Sequence, residues 1–196
     1  MKNIGKIILA SKSPRRRELL QLLEIPFEVL VSDEEEVITS TNPAQVTEEL
    51  ASQKALAVAR KLDEGIVIGA DTVVSVDGQI LGKPKDKEDA KKTISLLQGR
   101  SHMVTTGVSL VDATGQQETI CFHVGTKVKV ASMTALEIED YIKSEEPYDK
   151  AGSYGIQGIF SKYIEGIEGD YFNVVGLPVH ALYSAIKVFA KTLDIM

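Results

Sequence analysis

The stretch KIILASKSPRRRELLQLL, Lys6 to Leu23, decides the fold class. Lys6–Ala10 reads as a short buried strand and Ser11-Lys12-Ser13-Pro14 as a tight turn. From Arg15 to Leu23, Leu19, Leu20, Leu22 and Leu23 recur at helical spacing. Ser13 is a suitable N-cap and Pro14 suits the first helical position. The unpaired N–H groups of that first turn, together with the helix dipole, favour an anion in front of it. Arg15, Arg16 and Arg17 crowd the same turn, where acidic residues would serve the helix better. Two readings follow: a solvated basic helix start, or a site whose cations are neutralised by a strongly negative ligand such as phosphate.

Downstream, Phe27–Val31 reads as a second strand leading into the acidic run Asp33-Glu34-Glu35-Glu36. Such a run is ordinarily a solvated loop, from which one carboxylate can turn inward to a metal. Asn42-Pro43 opens a helix to about Leu62, with Val46, Leu50 and Val58 on one stripe. Lys54 falls on that stripe; it either snorkels to the surface or reaches through to a polar cleft. The segment IVIGADTVVSV, Ile66–Val76, is a buried strand of β-branched residues that contains Asp71. A carboxylate there is costly unless paired or bound to a cation. Asp71 is therefore the strongest candidate for catalytic or metal chemistry, against a structural aspartate bonded to backbone amides at a bulge.

Asp77-Gly78 marks a hairpin to Gln79–Leu81. Gly82-Lys83-Pro84 then places Lys83 on a constrained loop suited to a phosphate contact. Asp86 caps a helix to about Gln98, with Gly99 as its terminator. Val104–Val111 and Ile120–Val130 read as strands around a Thr114-Gly115 turn. Thr134 to Glu137 forms a capping box for a helix to about Lys143. Glycines at 152, 155 and 158 make a shaped loop that can wrap a base or sugar, with Gln157 offering an amide, or that simply connects. Gly169–Pro178 leads into a last helix, with Ala181, Leu182, Ala185, Ile186 and Phe189 inward.

The chain of 196 residues, 43% hydrophobic and 26% charged, is expected to form one domain, residues 1–196. No stretch suggests a membrane span or signal peptide, and the lone Cys121 reads as core filler in a reducing, cytoplasmic setting. The net charge of −6 argues against a nucleic-acid partner. His102, His123 and His180 lack metal-ligand spacing, no Walker A or dinucleotide glycine motif is present, and no nucleophile elbow appears. The remaining constellation is Arg15, Arg16, Lys54 and Lys83 as cations with Glu36 and Asp71 as carboxylates. On an α/β scaffold that set suits a metal–phosphate substrate and phosphoanhydride hydrolysis.

LASKSPRRRELL, Gly69–Val74, Leu81–Pro84, Asp149–Gly158 and Gly169–Pro178 together resemble the Maf family of nucleoside triphosphate pyrophosphatases, from about Ile8 to Phe189. The resemblance implies an elongated mixed β-sheet flanked by helices, with two lobes around a cleft, similar to inosine triphosphate pyrophosphatases. It implies cleavage between the α and β phosphates. Asp71 matches the proton acceptor, and Glu36 a metal-linked carboxylate for which Glu35 is an alternative. Ser11, Arg15, Arg16, Lys54 and Lys83 match the polar residues around the phosphates. Arg15, Thr72 and Gln157 match members acting on dTTP and UTP. The branch that prefers 7-methyl-GTP carries tryptophan in place of that arginine, and this chain has no tryptophan. The expected cofactor is a divalent cation, Mg²⁺ or Mn²⁺, and a homodimer is expected because family members are often dimers. The rival reading is a nucleotide-binding regulator of septum formation and cell division, which would keep the arginines without needing Asp71.

Overall fold

The computed structural model describes residues 5–114 and 118–193. Its centre is one mixed seven-stranded sheet. Strand β1 (Ile7–Leu9) lies parallel to β2 (Phe27–Val29) on one side and to β3 (Ile66–Val76) on the other. β3 continues antiparallel to β5 (Ser101–Asp112), then β6 (Thr119–Val130) and β7 (Ile164–Glu168). The short β4 (Gln79–Leu81) folds back on the far end of β3 through the Asp77-Gly78 turn, whose two residues both take positive φ.

Six α-helices flank this sheet among the described residues: α1 (Pro14–Gln21), α2 (Pro43–Ala59), α3 (Lys87–Leu97), α4 (Ala135–Ile142), α5 (Tyr171–Val175) and α6 (Val179–Thr192). The caps match the sequence reading. Ser13, Asn42, Asp86 and Thr134 each accept from their helix's first-turn amides, and Thr134 with Glu137 closes the capping box. Several boundaries differ, among them the start of β5, which lies at Ser101 rather than Val104. α1 stops at Gln21 and leaves Leu22 exposed, α2 stops at Ala59 rather than Leu62, and β2 pairs only to Val29. The expected Thr114-Gly115 turn lies partly outside the described residues. α5 and β7 had not been expected. Cys121 is exposed rather than core filler, because β6 alternates and its outward residues face only partial cover from α2; its thiol points to the Glu48 carbonyl at 3.7 Å.

Side chains alternate along β3, so its two faces feed different cores. Ile66, Ile68 and Ala70 pack with Leu19 and Leu20 of α1 and Leu182, Ile186 and Phe189 of α6. Val67 meets Ala55 and Val58 of α2 on the opposite face. Beyond residue 73, Val74 and Val76 join a separate core with Ile94, Leu97, Ile138 and Ile142 from α3 and α4. The molecule thus has two lobes threaded by one long strand. No described helix is long and apolar enough to cross a membrane.

Candidate active site

The site begins with a gap in the sheet. β1 covers the edge of β3 only along Ile66–Ile68, and β4 covers only Val74–Val76. Residues 69–73 lie between them without a strand on that side, at the carboxyl end of β1, where ligands of α/β sheets collect. A cleft of about 750 Å³ opens there. Ser11, Arg15, Arg16, Glu36, Lys54, Asp71, Thr72, Lys83 and Gln157 all line it, so these nine residues reach one hollow.

Asp71 and Thr72 project to opposite faces of β3 and meet different helices. On one face, α2 lies almost on the sheet. A Cβ on Gly69 would stand 2.1 Å from the Ala51 carbonyl oxygen, and one on Gly107 would stand 2.3 Å from the Thr47 carbonyl group. Only glycine permits that approach. The closeness brings the Lys54 ammonium onto Asp71 Oδ1, with Glu36 Oε1 3.4 Å away on the other side. Lys54 therefore does not snorkel to open solvent; it joins two carboxylates from distant parts of the chain. Glu36 is delivered by a loop clamped to α2. The Gln53 amide donates to the Val37 carbonyl at 2.6 Å and accepts from its N–H at 2.8 Å, while Glu49 accepts from the Thr39 N–H at 3.0 Å. Glu35 also lines the cleft, but Glu36 holds the lysine.

On the other face, the mouth of α1 meets Thr72. Arg16 donates from Nε to the Gly176 carbonyl at 2.9 Å, from Nη2 to Thr72 Oγ1 at 3.0 Å and from Nη1 to Ser11 Oγ at 3.4 Å. Burial draws this guanidinium below its usual value, with Asp71 pulling it back up. Arg15 lines the cleft beside it, whereas Arg17 is exposed outside. The arginine-rich turn is thus divided between cleft and solvent.

The far wall is the glycine loop, folded into tight turns. The Gly152 N–H bonds the Gly82 carbonyl at 3.1 Å, tying this wall to the Lys83 loop. Glu146 accepts from the Ile159 and Phe160 N–H groups at 2.5 and 3.2 Å, and a Cβ on Gly158 would collide with its carboxylate. Gln157 lies in the chain between those anchors and lines the cleft. Lys150, which donates to the Glu146 carbonyl at 2.9 Å and to Asp149 at 2.6 Å, also lines the cleft. Burial pushes the Asp149 carboxyl up, but Lys150 and Arg15 outweigh it and hold it below the usual range. Sequence reasoning passed over Lys150, Asp149 and Glu146. The signal available was the close spacing of glycines, which marks a tight approach without saying to what.

Seven cations and six carboxylates line the cleft. This near balance leaves little surplus positive charge for a ligand carrying several negative charges. No group of three His, Cys, Asp or Glu side chains able to hold a metal occurs among the described residues. A cation here would need ligand oxygens besides Asp71 and Glu36.

Comparison with known proteins agrees with this geometry. A family model described as Maf-like protein matches residues 6–189. A dTTP/UTP pyrophosphatase of Bacillus cytotoxicus is 50% identical over 94% of this chain and 95% of its own length. One of Bacillus cereus is 47% identical over the same shares. Among solved structures, a HAM1 protein from Coxiella burnetii superposes with a TM-score of 0.58 at 17% identity, covering 95% of this chain and 98% of its own. The Staphylococcus aureus Ham1 protein gives 0.51 at 19%, covering 81% and 79%. These two likenesses bear on the fold alone. The match in sequence runs through every segment that lines the cleft, and the chain belongs to the Maf family.

Proposed function

We propose that this chain hydrolyses dTTP and UTP to the nucleoside monophosphate and pyrophosphate. The observation that carries the reading is the opposition, across one cleft, of the Asp71–Lys54–Glu36 cluster and the arginines at the mouth of α1. The near-identical coverage of relatives named dTTP/UTP pyrophosphatase supports the substrate.

In this reading, Arg15, Arg16 and Lys83 hold the phosphates and stabilise charge developing on the pyrophosphate leaving group. Asp71 orients a water toward the α phosphorus and takes its proton. Lys54 engages Oδ1 and so directs Oδ2 to that water. Arg15, Thr72 and Gln157 select the nucleotide. The donor set also fits a divalent cation, Mg²⁺ or Mn²⁺. Two carboxylates already gather around one positive centre at Lys54, and hard cations of this kind complete their shell with phosphate oxygens. Asp71 and Glu36 would hold it, and when bound it supplies the neutralising charge the cleft lacks. Such a housekeeping reaction belongs with a cytoplasmic nucleotide pool.

The test is a panel of nucleoside triphosphates with and without Mg²⁺ or Mn²⁺, scored for pyrophosphate rather than orthophosphate. Pyrophosphate from dTTP and UTP, dependent on the cation, is expected. Triphosphates bound and released intact would favour a regulatory binding protein instead.

A further inference from the structure

Thr106 sits on β5 directly opposite Thr72 on β3 and is fully buried. Its hydroxyl donates to the Asn173 carbonyl at 2.9 Å and lies 2.9 Å from the Thr72 hydroxyl. The direction of these bonds is fixed by chemistry. A carbonyl only accepts and a guanidinium only donates. Thr106 spends its single proton on Asn173, so it must accept from Thr72. Thr72 then has no proton left for the cleft and turns lone pairs toward Arg16 Nη2 at 3.0 Å.

The far end of this relay is itself pinned. The Asn173 amide donates to the Val104 carbonyl at 3.0 Å and to Thr126 Oγ1 at 2.9 Å, so α5 cannot slide along the sheet. Gly176, which follows α5, supplies the carbonyl that takes Arg16 Nε. Two of the three anchors on the guanidinium therefore trace back to one buried polar network. Without the Thr106 hydroxyl, the Thr72 proton is free to swing toward Arg16, where it meets a donor.

We propose that Thr106 is a positioning residue: it orients the Thr72 hydroxyl as an acceptor and so aims the remaining N–H groups of Arg16 at the phosphates. This rests on the reading that Arg16 binds the pyrophosphate part of the substrate. The variants Thr106→Val, Thr106→Ser, Thr72→Val and the double Thr72→Val/Thr106→Val are compared by calorimetric binding of inorganic pyrophosphate, by kcat and KM for UTP, and by thermal unfolding. Thr106→Ala replaces the valine variant if that one does not fold.

Thr106→Val is expected to weaken pyrophosphate about five- to tenfold and to raise KM for UTP comparably, the loss of the one neutral hydrogen bond that orients Thr72. Thr106→Ser is expected to stay within about twofold of wild type, because it keeps the hydroxyl. The double variant should be no weaker than Thr72→Val alone, because α5 stays pinned through Asn173 to Val104 and Thr126 and the effect on Arg16 passes through Thr72. A folded Thr106→Val with wild-type affinity would overturn the proposal. So would a serine variant as weak as the valine one, or losses that simply add in the double. If wild type binds pyrophosphate with this pattern but releases none from UTP, the functional reading fails while the relay stands.

Discussion

Asp71 is a carboxylate set among β-branched residues, and its ion-pair partner Lys54 comes from α2. If it is the base, Asp71→Asn should lower kcat by about 10²–10⁴ and leave the fold unchanged, as measured by pyrophosphate release beside a thermal unfolding curve. A wild-type rate in that variant would remove Asp71 from the role. His102 gives a second expectation at this scale. It is 3% exposed, its Nε2 lies 2.6 Å from the Tyr154 hydroxyl, and burial pushes its value down from 6.5 to about 4. The ring is neutral in the folded protein. Its contribution is therefore complete above pH 6.5 and is lost as the pH falls from there toward 4, because the unfolded chain takes up the proton first. The loss amounts to about 3 kcal/mol. Denaturant unfolding at pH 7.5 and at pH 4 should show that much less pH dependence in His102→Gln. Asp71 and Lys54 were legible in the sequence because each breaks an apolar pattern. Which glutamate of the acidic run meets Lys54 was not, since neighbours in such a run look alike; the Gln53 clamp on Val37, set from another element, puts Glu36 there.

At the scale of elements, α2 matters through its distance from the sheet. Gly107→Ala places a methyl against the Thr47 carbonyl and must lift the helix. A cost of about 1–3 kcal/mol in unfolding free energy is expected, with a fall in turnover as Lys54 leaves Asp71. If activity survives that substitution undiminished, close packing of α2 is not what sets the pair. Ser13→Ala is expected to cost about 1 kcal/mol of stability, because Ser13 Oγ accepts from the Arg16 N–H that begins α1. Capped helices and β-branched strands could be read from local chemistry alone, and β3 was read to its end residues. α5 could not: its five residues make a single turn held by Thr106, Thr126 and Gly176 rather than by their own periodicity. β7 escaped for a related reason, since it exists by pairing with β6 and has a half-exposed, glycine-interrupted sequence.

Across the whole molecule, charge is distributed against the total. The chain carries −6 overall, yet the cleft is close to balanced, because Arg15, Arg16, Lys54, Lys83 and Lys150 gather there against its carboxylates. Attraction of a polyanion into that pocket is local and is weakened by salt. KM for UTP should rise several-fold between low salt and ionic strengths well above physiological, while kcat changes little; a salt-insensitive KM would mean that contacts to the base dominate binding. The two-lobed outline was anticipated from the resemblance. The notch between β1 and β4 was not, because it depends on how far each short strand runs along β3.

That long strand has one more consequence. Ile66 to Ala70 belong to one lobe's interior and Val74 to Val76 to the other's, with Asp71 and Thr72 at the crossing. The rungs joining β3 to β5 run unbroken across that crossing. Any shift of one lobe against the other would therefore have to bend a continuous ladder at Asp71 and Thr72 rather than a loose connection.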